Sequence, residues 1–277
     1  MSSSQAVPLS YLFVPGHRPE RFAKALASGA DRVIIDLEDA VPPAGKAAAR
    51  EAVAAWMSSA SDEIRGKLLI RINDASTGWY ADDLRLLRQI RAACVMLPKC
   101  ESRRQLADVL APLDASATAL PLVETARGLL AALDLATAPG VARLAFGSLD
   151  YMADLDIPAD SPALQHAAIQ LAIASRAAGL PPPVAGVTPD IDADRVAADM
   201  AQARSLGFGA KMCIHPAQLA AVHGALRPGA EEQDWAQRIL AAWHAAGGGA
   251  FQLDGKMVDR PVVLKAERLM ALAARIP

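Results

Sequence analysis

Short apolar runs alternate with longer amphipathic stretches from residue 11 to about residue 225. Eight of the runs have the length and aliphatic character of buried strands. They are YLFVPG at 11–16, DRVIID at 31–36, KLLIRIN at 67–73, CVMLPK at 94–99, ALPLVE at 119–124, RLAFGSLD at 143–150, VAGVT at 184–188 and AKMCIH at 210–215. Between them lie helix-like segments such as PERFAKALASG, GKAAAREAVAAWM, DDLRLLRQIRAA and DADRVAADMAQARSLG. In the last of these, Asp192 stands where an N-cap belongs and Gly207 where a helix ends.

Eight strand–helix units in about 225 residues match a (β/α)8 TIM barrel, an α/β fold of about 250 residues. A doubly wound open sheet shares the alternation. The count of eight and the lack of a G-x-G-x-x-G turn favour the barrel. After residue 225 the pattern changes to EEQDWAQRILAAWHAA, a glycine-rich GGGAFQLDGKMVDRP and a final VVLKAERLMALAARI. The expected organisation is therefore a barrel over 1–225 and a C-terminal helical arm over 226–277. Such an arm is either plainly linked or docked on a neighbouring chain.

Composition narrows the function classes. Hydrophobic residues make up 53% and aromatic ones only 4%, so the core is aliphatic and alanine-rich. A formal net charge of −2 offers no general field for nucleic acid or an anionic membrane, and neither is expected as a partner. The three cysteines, Cys94, Cys100 and Cys213, lack metal-ligand spacing and suit a reduced compartment. The N-terminal MSSSQAVPLS has no secretory pattern, and no apolar run nears the ~18 residues of a membrane span. A cytoplasmic location is expected.

A barrel of this kind works at the carboxyl ends of its strands. Those ends carry His17 and Arg18, Asp36, Glu38 and Asp39, Arg71, Lys99, Glu124, Asp150, Asp190 and His215. Glu124 and Asp150 are candidate ligands of one hard divalent cation, since carboxylate oxygen suits Mg²⁺. Each acid alone could instead cap the helix that follows it. Arg71 ends an apolar strand, where a fixed positive charge can hold an oxyanion or form an ion pair with Asp36 or Glu38. Asp36, Glu38 and Asp39 can orient Arg71 and hold metal-bound water. Arg18, Arg21 and Lys24 fall in the first turns of a helix, where a phosphate or a salt bridge to Glu20 would compensate them. His215 lacks a partner at ligand spacing and suits a substrate or backbone hydrogen bond. Asp259, in DGKMVDRP, reads by itself as a turn residue.

At these residues the chain resembles the citrate lyase β-subunit family, which includes malyl-CoA and citramalyl-CoA lyases within the HpcH/HpaI aldolase superfamily. The matching stretches are YLFVPGHRPERFAKAL, VIIDLEDAVPPAGKAAAR, RIND, VMLPKCES, PLVETARGLL, FGSLDYMADL, GVTPDID, GFGAKMCIHPAQ and DGKMVDRP, in family order from about residue 10 to 262. The resemblance implies reversible cleavage of a 3-hydroxyacyl-CoA thioester into acetyl-CoA (or propionyl-CoA) and a 2-oxo acid, with Mg²⁺ as cofactor or Mn²⁺ in its place. It implies that Glu124 and Asp150 hold the metal and that Arg71 steadies the oxyanion and enolate. Phe13, Arg18 and Lys24 fall where similar proteins hold CoA, and Ile214 and His215 where they contact the thioester. The backbone at Leu149 and Asp150 would meet the oxo acid. Asp259 would act as general acid/base in the site of an adjacent subunit, which implies a homotrimer or hexamer. His17 stands where many relatives carry a small or acidic residue. Three other readings stay open: a citryl-carrier-protein lyase subunit of a citrate lyase complex, an aldolase acting on free 2-oxo acids, and a non-catalytic subunit that binds acyl-CoA.

Overall fold

The computed structural model describes residues 7–247 and 249–276. Each of the eight apolar runs contains a strand: β1 Ser10–Pro15, β2 Arg32–Asp36, β3 Leu68–Arg71, β4 Cys94–Leu97, β5 Thr118–Val123, β6 Ala145–Phe146, β7 Val184–Ala185 and β8 Ala210–Cys213. They pair in parallel in chain order, and β8 closes on β1 through Tyr11 opposite Met212. The barrel is therefore closed, as expected, and the open sheet is excluded.

Side chains alternate between the two faces of a strand, so every second residue enters the barrel. Tyr11, Ile34, Leu69, Met96, Leu120, Leu122, Ala145, Val184, Ala210 and Met212 form one buried cluster that draws on all eight strands. One period beyond Ile34, Leu69, Leu122 and Met212 stand Asp36, Arg71, Glu124 and Ile214. The same alternation that fills the core with aliphatic groups thus delivers these four to the carboxyl-end rim.

β6 and β7 are only two residues long, shorter than the runs 143–150 and 184–188 suggest. At Gly147 the chain leaves the sheet and enters the helix Ser148–Leu155. A Cβ on Gly147 would lie 2.6 Å from Cβ of Glu124, so only glycine lets the two strand ends approach this closely. Asp150 consequently sits in the first turn of that helix, not at a strand end. The helix Ala193–Ser205 begins at Asp192, whose carboxylate accepts Arg195 N–H at 2.9 Å, and Gly207 follows it at φ 97°.

The chain divides into two compact units, one ending at Val222 and the other beginning at His223. In the second, the helices Ala230–Ala245 and Arg260–Ala273 are linked by the antiparallel hairpin Phe251–Leu253 and Lys256–Val258. They bury Ala236, Ile239, Val258, Val263, Ala266 and Leu269 together. Among the described residues, no helix is long and apolar enough to cross a membrane.

Leu69 is 1% exposed inside the barrel, so Leu69→Ala is expected to cost about 2–5 kcal/mol in urea unfolding followed by circular dichroism. Leu130, 86% exposed, is the control: Leu130→Ala should stay within about 0.5 kcal/mol.

Candidate active site

The rim opens into a cavity of about 380 Å³ lined by Phe13, Asp36, Arg71, Glu124, Asp150 and Ile214 among others. Arg71, at the end of β3, is buried and held on several sides. Its Nε and Nη2 donate to the two oxygens of Asp36 at 2.7 and 2.6 Å. Its Nη1 meets Glu38 Oε2 at 2.9 Å and Asp39 Oδ2 at 3.3 Å. The guanidinium also lies 4.8 Å from the centre of the Phe13 ring. Burial works against the Arg71 charge, but Asp36, Glu38 and Asp39 outweigh it and hold its pKa above the ordinary value. The Arg71–Asp36 pair is planar and bidentate, which fixes direction as well as charge. Burial pushes Glu38 up to about 8; Arg71 opposes that shift, while Asp39, Glu124 and Asp36 add to it.

Glu124 follows β5 directly and is 2% exposed. It does not cap the next helix. Thr125 does that, accepting Gly128 N–H at 3.0 Å while donating to Glu101 Oε1 at 2.7 Å. Among the described residues, the hydrogen bond to the Glu124 carboxylate comes from the backbone of Lys99, at 2.7 Å to Oε1. Lys99 presents that N–H from a left-handed conformation, φ 44°. Burial pushes Glu124 up to about 7, with Asp150 adding to the shift and Lys99 and Arg71 opposing it. Asp150 is exposed, lines the same cavity, and makes no hydrogen bond or ion pair among the described residues. No group of three or more His, Cys, Asp or Glu side chains is arranged to hold a metal among the described residues. Protein donors to a cation here would therefore be this carboxylate pair.

The sequence matches the HpcH/HpaI aldolase/citrate lyase description over residues 9–216, three quarters of the chain. The chain belongs to that family. A citrate lyase subunit beta-like protein of Mycobacterium tuberculosis is 38% identical, covering 95% of this chain and 94% of that protein. A (3S)-malyl-CoA thioesterase of Cereibacter sphaeroides is 31% identical, covering 98% and 97%. Among solved structures, CitE of Mycobacterium tuberculosis in complex with magnesium, acetoacetate and coenzyme A superposes with a TM-score of 0.85 at 35% identity, covering 97% and 99%.

Within this citrate lyase family barrel the remaining candidates take up varied positions. Leu149 and Ile214 line the cavity and are 41% and 44% exposed overall, a large apolar exposure at a polar rim. Arg18 precedes a 3-10 turn, Pro19–Arg21, and pairs with Glu20 at 2.6 Å on the surface. Lys24 is exposed on the five-residue helix Phe22–Leu26. The expected single helix is thus two short pieces, and Arg18 is compensated by Glu20. Nδ1 of His17 is buried with no hydrogen-bond partner among the described residues. His215 Nδ1 accepts Ala217 N–H at 3.2 Å, the backbone bond expected of it. Asp259, in the second unit, is half-buried and accepts Val262 N–H at 3.4 Å as the N-cap of Arg260–Ala273.

Three supporting residues escaped the sequence reading. Lys46, 5% exposed, donates to the carbonyls of Leu37 and Glu38 at 2.6 and 2.7 Å and lies over Trp79, so it pins the loop that carries Glu38 and Asp39. Its signal was present: Lys46 continues the buried stripe Ala49, Val53 and Met57 of its helix. Gln218, fully buried, accepts Ile214 N–H at 2.8 Å and donates to Thr188 and Asp190 carbonyls, tying two rim loops together. Thr125 is legible as an N-cap three residues before Gly128.

Glu124 gives a pH prediction. Its folded pKa lies above the ordinary value of 4.5, so it favours the fold fully below about pH 4.5 and loses that contribution as pH rises through about 7. Thermal melts in chelator should show the protein losing stability over that window, and Glu124→Gln should lose less. Identical pH profiles for the two would contradict the assigned burial cost.

Proposed function

We propose that this family member is a Mg²⁺-dependent carbon–carbon lyase that splits a 3-hydroxyacyl-CoA thioester, such as a malyl, citramalyl or citryl ester, into acetyl-CoA and a 2-oxo acid. The observation that carries this reading is the carboxylate pair Glu124 and Asp150 beside an arginine already bound by other acids. The residues fit a hard cation. Glu124 is buried with no ion pair among the described residues, its charged form is disfavoured although Arg71 and Lys99 act in its favour, and both donors are oxygen. When bound, Mg²⁺ would supply Lewis acidity toward the oxygen that passes from hydroxyl to carbonyl.

The chain's own groups account for the rest. Breaking the bond beside the hydroxyl passes the hydroxyl proton to water and sends the bonding electrons into the thioester enolate. Arg71, fixed by Asp36 before substrate arrives, stabilises that negative charge without reorganising. Glu38 and Asp39 hold its Nη1, and Lys46 holds their loop. Leu149 and Ile214 supply apolar cover that excludes water from the enolate. Phe13, Arg18 and Lys24 are assigned to CoA, with His215 beside the thioester. Asp259 of an adjacent subunit delivers the proton to the enolate carbon, which makes the working unit a homotrimer or hexamer and the second unit an arm that reaches across.

The similarity to a malyl-CoA thioesterase supports a second reading, in which the same site directs water to the thioester carbonyl. The products separate the two. Malyl-, β-methylmalyl-, citramalyl- and citryl-CoA would be offered with Mg²⁺ and analysed by mass spectrometry. Lyase action yields acetyl- or propionyl-CoA and a 2-oxo acid; hydrolysis yields free CoA and a hydroxy acid. Glu124→Ala and EDTA should each abolish turnover, and Asp259→Asn should lower kcat by about 100-fold or more with KM little changed. Full turnover by Asp259→Asn would remove that residue from the mechanism. Inertness toward all four esters would remove the CoA-lyase reading.

A further inference from the structure

A second cavity, of about 580 Å³, lies outside the barrel wall and is lined by the helices Pro162–Ala177 and Ala193–Ser205, by β7 and by β8. We infer that it is a binding site for a small apolar carboxylate, anchored by Lys211.

Lys211 stands between Ala210 and Met212, which both face the barrel core, so its own side chain points to the opposite face. It pairs in register with Ala185, another residue of the cavity wall. Lys211 is 4% exposed, and among the described residues Nζ donates to a single acceptor, the Gly186 carbonyl, at 2.8 Å. An ammonium carries three donors, so two remain. Asp199, the acid that acts on it, is already engaged by Thr188 Oγ1 at 2.7 Å and by Arg195 Nε at 3.1 Å. No carboxylate among the described residues reaches Lys211 at ion-pair distance. A buried cation so poorly paired calls for an anionic acceptor. Burial correspondingly pulls the Lys211 pKa down.

The rest of the wall sets the ligand's other end. Phe146, Met152, Leu164, Leu206 and Phe208 are apolar, and the volume falls in the range of small-molecule sites. One carboxylate would satisfy both spare donors while an alkyl chain covers this wall. Asp160, Asp199 and Arg195 also line the cavity, and Arg195 is paired with Asp199, so a second carboxylate would meet no spare cation there among the described residues. The cavity is distinct from the catalytic one but shares Ser148, Leu149 and Val187 with it. An occupant would therefore rest on the turn that carries Asp150.

The site does not depend on the lyase reading, because occupancy is measured without turnover. Hexanoate would be titrated calorimetrically into the full-length protein, with 1-hexanol as the uncharged control. Hexanoate should bind once per chain. Lys211→Met, and separately Leu164→Trp, which fills the cavity, should each weaken it by about tenfold or more, as should loss of the charge in hexanol. Glu124→Gln, in the other cavity, should leave it unchanged. Failure of hexanoate to bind the wild-type protein overturns the proposal, as does equal binding by Leu164→Trp with a native circular dichroism spectrum. The Leu164 variant keeps the lysine, so the test stands even where Lys211→Met does not fold.

Discussion

A surplus of negative charge in a confined space governs the rim of this barrel. Asp36, Asp39, Glu124 and Asp150 line one cavity, Glu38 stands beside it, and Arg71 is the cation among the lining residues. Arg71 is held by Asp36 on two of its nitrogens and by Glu38 and Asp39 on the third. What remains is Glu124, buried and driven toward its neutral form, and Asp150 without a partner among the described residues. Charges this close in low dielectric are not left uncompensated at modest cost. On the proposed reading, a divalent cation on the Glu124–Asp150 side would balance the site, and Arg71 would act as a rigid electrostatic group.

The fold creates this arrangement through strand periodicity and two local devices. Alternation along β2, β3 and β5 carries Asp36, Arg71 and Glu124 one step beyond the core residues Ile34, Leu69 and Leu122, so a packed interior ends in a charged rim. Thr125 takes over the helix cap and leaves the Glu124 carboxylate available. Gly147 allows β6 to end against Glu124, which brings the helix bearing Asp150 to the same cavity. Behind the acid loop, Lys46 fixes Leu37 and Glu38 by their carbonyls, and so supports the acids that direct Arg71.

Much of this was legible because strand periodicity is written in the residues themselves. All eight apolar runs contain strands, and Glu124 and Arg71 could be placed at strand ends from ALPLVE and KLLIRIN alone. Asp150 was assigned to the right region and the wrong element. RLAFGSLD is apolar enough to read as one strand, and the turn at Gly147 depends on contact with Glu124 on a neighbouring strand. Lys46 and Gln218 escaped notice because their roles depend on carbonyls at least eight residues away in sequence. The helix start suggested a phosphate for Arg18 and Lys24; their CoA role and the acid/base role of Asp259 came from family resemblance. In the single chain Arg18 is paired with Glu20 and Asp259 caps a helix.

The most direct test of the charge-balance account is a Mn²⁺ titration followed by electron paramagnetic resonance, with Mg²⁺ as competitor. The account predicts one Mn²⁺ per chain, displaced by Mg²⁺ and lost in both Glu124→Gln and Asp150→Asn, while Arg71→Lys retains it. Unchanged Mn²⁺ affinity in a folded Glu124→Gln protein would contradict it, because the carboxylate pair would then not be what the cation balances.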